Sequence, residues 1–156
     1  VGNLMRRGQV LTSTRKPARP RFLNRLRARH APPRPPFERA AELLAAGRSV
    51  GVFPEGTANR DPRRLLRGRH GAARLSLQSG VPVVPVGLRF PFEPADAPIR
   101  DFARVAIEIG EPLPVRHWHE DIVPLDVVRA RHAEIMTALA ALSGKTWTHD
   151  TRSDPT

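Results

Sequence analysis

The chain has 156 residues and no cysteine, with 26 lysines and arginines against 15 acids. That length leaves room for one modest domain with a core. The missing thiols exclude disulfides and thiolate metal centres and fit a reducing compartment. The net charge of +11 is lopsided, because residues 1–36 hold ten bases and no acid while the remainder balances sixteen bases against fifteen acids. No apolar run approaches the ~18 residues of a membrane span, and the basic amino end lacks the apolar segment of a signal peptide. The expectation is a soluble or peripheral protein.

Residues 1–36 join that charge to six prolines, among them Pro32, Pro33, Pro35 and Pro36, which favours extended, poorly ordered chain over helix. A solvated arm is one reading of this leader, and an arm lying on anionic lipid head groups is a second. Nucleic-acid binding is disfavoured, since Phe22 is the leader's only aromatic residue for stacking. The bias to Arg, Pro and Ala also suits a GC-rich gene read in a wrong frame. From Phe37 to Gly47 a helix is predicted, with Phe37, Ala40, Ala41 and Leu44 on one face. Pro36 suits its first turn, Glu38 its positive end and Gly47 its termination.

Val50, Val52 and Phe53 then read as a short buried strand that Pro54 ends. Glu55, Gly56 and Thr57 follow at once, at the carboxyl end of a strand, where open α/β sheets bind ligands. An ordinary Pro-Gly turn would explain the same residues. Thr57 to Arg69 is a polar loop holding Arg60, Arg63, Arg64, Arg67 and Arg69. A helix is predicted from His70 to Ser79, capped by Gly80. Gly71 at its start would let a phosphate approach free backbone N–H groups. His70 has the near-neutral pKa of a general base, and a basic residue at the mouth of an anion site would account for it as well.

Val81 to Phe90 is an unbroken apolar run, the pattern of a strand buried on both faces, starting beyond Pro82 and bulged near Pro85. Arg104 to Ile109 alternates charge and hydrophobe, a strand with one wet face. His117 and His119 look metal-like, but Pro114 and Asp121 place them in a loop, and no metal site is predicted. Asp126 to Leu142 is the longest helix, with Val128, Ile135, Leu139 and Leu142 at helical spacing, His132 at the edge of that face and Gly144 as its stop. A polar tail follows from 144 to 156.

Three blocks carry a resemblance: Phe53-Pro54-Glu55-Gly56-Thr57, His70-Gly71-Ala72-Ala73-Arg74-Leu75 and Val81-Pro82-Val83-Val84-Pro85-Val86. In this order they resemble the phospholipid/glycerol acyltransferase family, over roughly Phe37 to Phe90 and more weakly to Gly110. The resemblance implies acyl transfer from acyl-CoA or acyl carrier protein to the hydroxyl of a lysophospholipid of the lysophosphatidic acid type, with no further cofactor. It implies an acceptor site shaped by Glu55, Gly56 and Thr57, with Glu55 orienting its neighbours. The family carries Arg after the Thr, to hold the acceptor phosphate, where this chain has Ala58. Arg60 and then Arg63 are the arginines expected in its stead, since a guanidinium gives a phosphate two hydrogen bonds at once. The Val81–Phe90 run would border the acyl chain, or be plain core.

Acyl transfer to an alcohol needs a base and an oxyanion-stabilising group. The family supplies the base as a His with an Asp five positions on, well ahead of the Pro-Glu-Gly block. Here no Asp precedes Phe53, His30 has Pro35 at the required place, and only His149 and Asp154 have the spacing, on the other side of the motif. A truncated sequence is the favoured account, ahead of a degenerate relative or a different base. The expected fold is an incomplete α/β domain over residues 37–143, a parallel or mixed sheet flanked by helices. The expected location is cytoplasmic, peripheral on the inner face of the membrane. A catalytically silent module binding anionic lipid or nucleic acid through the leader is the alternative.

Overall fold

The computed structural model describes residues 35–148. The leader before Pro35, His30 included, and the His149–Asp154 pair lie outside the described residues. The chain divides into two units, residues 1–50 and 51–156.

In the first unit, α1 spans Pro36–Ala45. Pro36 opens it, where a missing N–H costs nothing, and Glu38 sits in the first turn. Arg39 and Glu42 pair at 3.0 Å one turn apart, Ala40 is buried, and Gly47 leaves the helix at a φ of +72°. These features match the predicted helix.

The second unit holds α2 (Gly71–Ser79), β1 (Val86–Arg89), β2 (Ala106–Ile109) and α3 (Leu125–Ser143). Both helices end as the glycines foretell, Gly80 and Gly144 adopting left-handed caps whose N–H groups return to Ser76 and Ala140. The core lies between them: Ala73 and Leu77 of α2 meet Val128 and Ile135 of α3, with Val123 beside them and Val83, Leu113, Trp118 and Leu139 packed around. Arg131 is 1% exposed within this interface. Its Nη1 donates to Glu134 at 2.9 Å and its Nε to Ser76 Oγ at 3.3 Å, and Arg116 meets the same carboxylate at 2.7 Å. Burial works against the Glu134 carboxylate, but the hydrogen bonds and charges of Arg131 and Arg116 outweigh it and hold its carboxyl below the ordinary value.

β1 and β2 pair antiparallel in the register Val86↔Ile109, Gly87↔Glu108, Leu88↔Ile107 and Arg89↔Ala106. Two further bonds, Gly110 N–H to Pro85 O and Leu113 N–H to Val83 O, carry the pairing past the prolines. One face of this ribbon packs on α3 so closely that a Cβ on Gly87 would stand 2.6 Å from the Leu142 backbone. Arg89 Nε donates to the Leu142 carbonyl at 2.7 Å, placing a cation at the carboxyl end of α3, where the helix dipole favours one.

Several expectations are corrected. Residues 50–53 form no strand: they have no ladder partner among the described residues, and Phe53 is 81% exposed. Hydrophobic, β-branched sequence makes a strand only when another strand completes its hydrogen bonds. The run from Val81 to Phe90 is buried on one face only, with Val84, Val86 and Leu88 exposed, because a helix layer covers just the glycine side. On β2 the alternation holds with its sense reversed. Glu108 shares the α3 side with Gly87 and pairs with Arg89 at 2.8 Å, while Ile107 and Ile109 are open to solvent. The three helices and two strands fit an incomplete α/β domain. The only ladder among the described residues is antiparallel.

Candidate functional site

Beyond Phe53 the backbone folds back at once, Gly56 N–H donating to the Phe53 carbonyl at 3.0 Å. Pro54 and Glu55 occupy the corners of this turn, and Gly56 completes it at a φ of +71°, which a side chain would disfavour. The Glu55 carboxylate then reaches across the following loop. Its Oε2 accepts from Asn59 Nδ2 and from the Leu66 backbone N–H, both at 2.7 Å. These short, charge-assisted bonds make Glu55 the clamp of the loop.

Asn59 continues the network, donating to the Arg64 carbonyl at 2.8 Å and accepting from Asp61 N–H at 2.9 Å. Asp61 Oδ1 accepts from Arg63 N–H and Arg64 N–H at 2.8 and 3.0 Å. The Arg63 N–H, more than any other group, draws the Asp61 carboxyl below its ordinary value, with Arg64 and Lys145 adding to it against a cost of burial. From the other side the segment after α3 straps the loop. Lys145 Nζ donates to Asp61 O at 2.6 Å, Thr146 exchanges backbone bonds with Arg63 and Leu65, and Trp147 Nε1 donates to Arg67 O at 3.3 Å. His132 Nε2, from within α3, donates to that same carbonyl at 3.0 Å. Burial lowers the pKa of Lys145 despite the nearby Glu55 and Asp61 charges.

The predicted site residues separate into two groups. Glu55 and Gly56 lie in the turn with Thr57 next in the chain, and Arg69 N–H, just ahead of His70 and Gly71 in sequence, bonds the turn through Pro54 O at 2.7 Å. Gly71 opens α2, whose first turn has no side-chain cap. The His70 ring stands edge-on to His132, centroids 4.9 Å apart, and His132 meets Trp147 likewise at 5.8 Å. Of the expected arginines, Arg60 is directed elsewhere, and Arg63 is seen only through its backbone. The Arg60 guanidinium pairs with Asp101 at 2.5 Å, and the Arg63 carbonyl is held by Thr146. The His117 and His119 rings lie 4.3 Å apart, tilted at 59°, and no cluster of three metal-ligating side chains occurs among the described residues.

Sequence reasoning missed Asn59, Asp61, His132 and the strap at residues 145–147. The spacing Asn59-Arg60-Asp61, with both side chains able to bond backbone two or three residues on, was the available sign. Nothing local marks the strap, since its bonds span eighty positions or more.

Residues 1–89, more than half of the chain, match the family model described as Acyltransferase. The chain belongs to the acyltransferase family. The stretch from Phe53 to Thr57 that clamps the loop falls inside the matched part. The chain is also 44% identical over 52 residues to 1-acyl-sn-glycerol-3-phosphate acyltransferase BAT2, chloroplastic, of Brassica napus. That match covers 33% of this chain and 15% of the relative's length. No solved structure matches it. No helix among the described residues is long and apolar enough to cross a membrane.

Proposed function

We propose that this chain carries the acceptor-binding part of an acyltransferase that moves a fatty acyl group from acyl-CoA or acyl carrier protein to the free hydroxyl of a lysophospholipid of the lysophosphatidic acid type. The observation that carries it is the Glu55 clamp. A carboxylate fixed at 2.7 Å by two donors turns the family's Pro-Glu-Gly-Thr block into a rigid turn, and holding an acceptor in a fixed pose supplies much of the rate of a two-substrate reaction. The relative is named for acyl transfer to a 1-acyl-sn-glycerol-3-phosphate, which supports the choice of acceptor.

In the reaction the acceptor hydroxyl attacks the thioester carbonyl, a base takes its proton, and the thiol leaves as the new ester forms. The thioester is already activated, so no metal or prosthetic group is called for. Glu55 serves by holding Asn59 and Leu66 in place. Thr57 and Gly71 border the acceptor, and His70 is a basic residue at the mouth of the anion site. The enzyme works at the cytoplasmic face of the membrane, where its lipid acceptor resides.

The test is an assay of the chain with labelled acyl-CoA and lysophosphatidic acid. Turnover that Glu55→Ala lowers by about a hundredfold or more is the expected result. Absence of turnover, together with salt-sensitive binding to anionic vesicles that survives Glu55→Ala, would replace this reading with a silent lipid-binding module.

A further inference from the structure

Gly56 supports an arginine that the sequence pattern does not single out. The Arg69 side chain runs across this glycine: a Cβ built there would meet Arg69 Cδ and Nε at 2.8 Å each. Its backbone is anchored at the same place through the bond from Arg69 N–H to the Pro54 carbonyl. The glycine therefore answers two needs, the left-handed backbone and a seat for the arginine's stem. Arg69 is exposed, and it has no ion pair among the described residues, whereas the Arg60 guanidinium is taken by Asp101. Ala58, directly after Thr57, offers no cation. A single residue, His70, separates Arg69 from the uncapped start of α2.

We propose that Arg69 is the guanidinium that receives the phosphate monoester of the acceptor. This assignment rests on the acyl-transfer reading above and deepens it by naming the group that selects a phosphorylated acceptor. A guanidinium offers a phosphate two parallel charge-assisted hydrogen bonds. A stem already laid across Gly56 loses little conformational freedom when the ligand arrives. Coenzyme A also bears a phosphate monoester, so donor and acceptor are two sources of the same chemistry.

Calorimetric titration of the full chain separates them with three probes: a short-chain lysophosphatidic acid below its micellar concentration, the monoacylglycerol with the same acyl chain, and coenzyme A. The unsubstituted chain is expected to prefer lysophosphatidic acid over the monoacylglycerol. Arg69→Gln weakens lysophosphatidic acid by about 10- to 100-fold, the loss that follows from removing a charged hydrogen-bond partner, and leaves the other two probes unmoved. Arg69→Lys retains part of the preference, and Arg60→Gln retains all of it. Unaltered lysophosphatidic acid binding by Arg69→Gln overturns the assignment, as does an equal loss in Arg60→Gln or a loss that falls on coenzyme A alone. Loss of all three probes together marks a structural role for Arg69 and overturns it as well. Should the unsubstituted chain fail to tell lysophosphatidic acid from the monoacylglycerol, the acceptor reading falls, and Arg69 with it.

Discussion

The loop from Pro54 to Arg69 and the strand pair β1–β2 solve opposite problems. The loop is polar and lacks regular structure, yet Glu55, Asn59, Asp61, Lys145, Thr146 and Trp147 bond its backbone from both sides. The strands are regular and apolar, yet among the described residues only their glycine face is covered, and Ile109 on the other is 73% exposed. Order in this unit therefore follows where hydrogen bonds and neighbouring layers are supplied, not where hydrophobic residues are densest.

Breaking the clamp should have the largest effect. Glu55→Ala leaves the Leu66 N–H and the Asn59 amide without their acceptor, and kcat/KM for the proposed reaction should fall by about a hundredfold or more, the scale of losing a positioning contact. Exchange of the Leu66 amide with solvent should quicken in the same variant. Full activity and a protected Leu66 amide in Glu55→Ala would remove the clamp from the account.

Next comes the covered face of the strands. Gly87→Ala drives a methyl into the Leu142 backbone and should cost about 1–3 kcal/mol in urea unfolding, the range for overpacking a tight contact. Glu134→Ala leaves Arg131 buried without its carboxylate and should cost about 3 kcal/mol, as removing one partner of a buried charge does. A stable Gly87→Ala chain would show that α3 does not press on the sheet.

Acid offers a gentler probe. In the folded chain the Glu134 and Asp61 carboxyls titrate below the ordinary values of 4.5 and 3.8. The unfolded chain thus takes up these protons first as the pH falls. Their stabilisation is whole above those ordinary values and is lost as the pH drops through the folded ones. Unfolding midpoints measured from pH 6 to pH 3 should decline below about pH 4.5, and Glu134→Gln should flatten part of the decline. A midpoint that stays level over that range would contradict the sign.

The smallest change belongs to the open face. Ile107→Thr, on the same strand pair as Gly87, should move stability by less than about 0.5 kcal/mol, because no packed layer registers the loss. A cost as large as that of Gly87→Ala would mean this face is covered, and would dissolve the contrast.

How much of this was legible follows the same division. Helices α2 and α3 could be read because their signals are local: a three- and four-residue period, then Gly80 or Gly144 at the stop. The strand expected at Phe53 could not be verified from its own residues, since a strand's partners lie elsewhere in the chain. The pattern of β2 told that its faces differ but not which one α3 would cover, and Glu108 took the inner side because Arg89 awaited it there. The motif drew attention to Glu55, and the fold gives its carboxylate two loop donors that the motif does not name. Arg60 was favoured for its nearness in sequence to Thr57, whereas the fold returns Arg69 to Gly56 and sends Arg60 to Asp101. His132 gave no sign of its role, because its bond to Arg67 O joins α3 to a loop sixty-five positions earlier.

The indole of Trp147 rests on the carbonyl of Arg67, so the chain has an optical gauge on its arginine-rich loop. Loosening of that loop should shift the emission colour of Trp147. With Trp118, the other tryptophan, replaced by Phe, a single fluorophore would track occupancy and release without any attached dye.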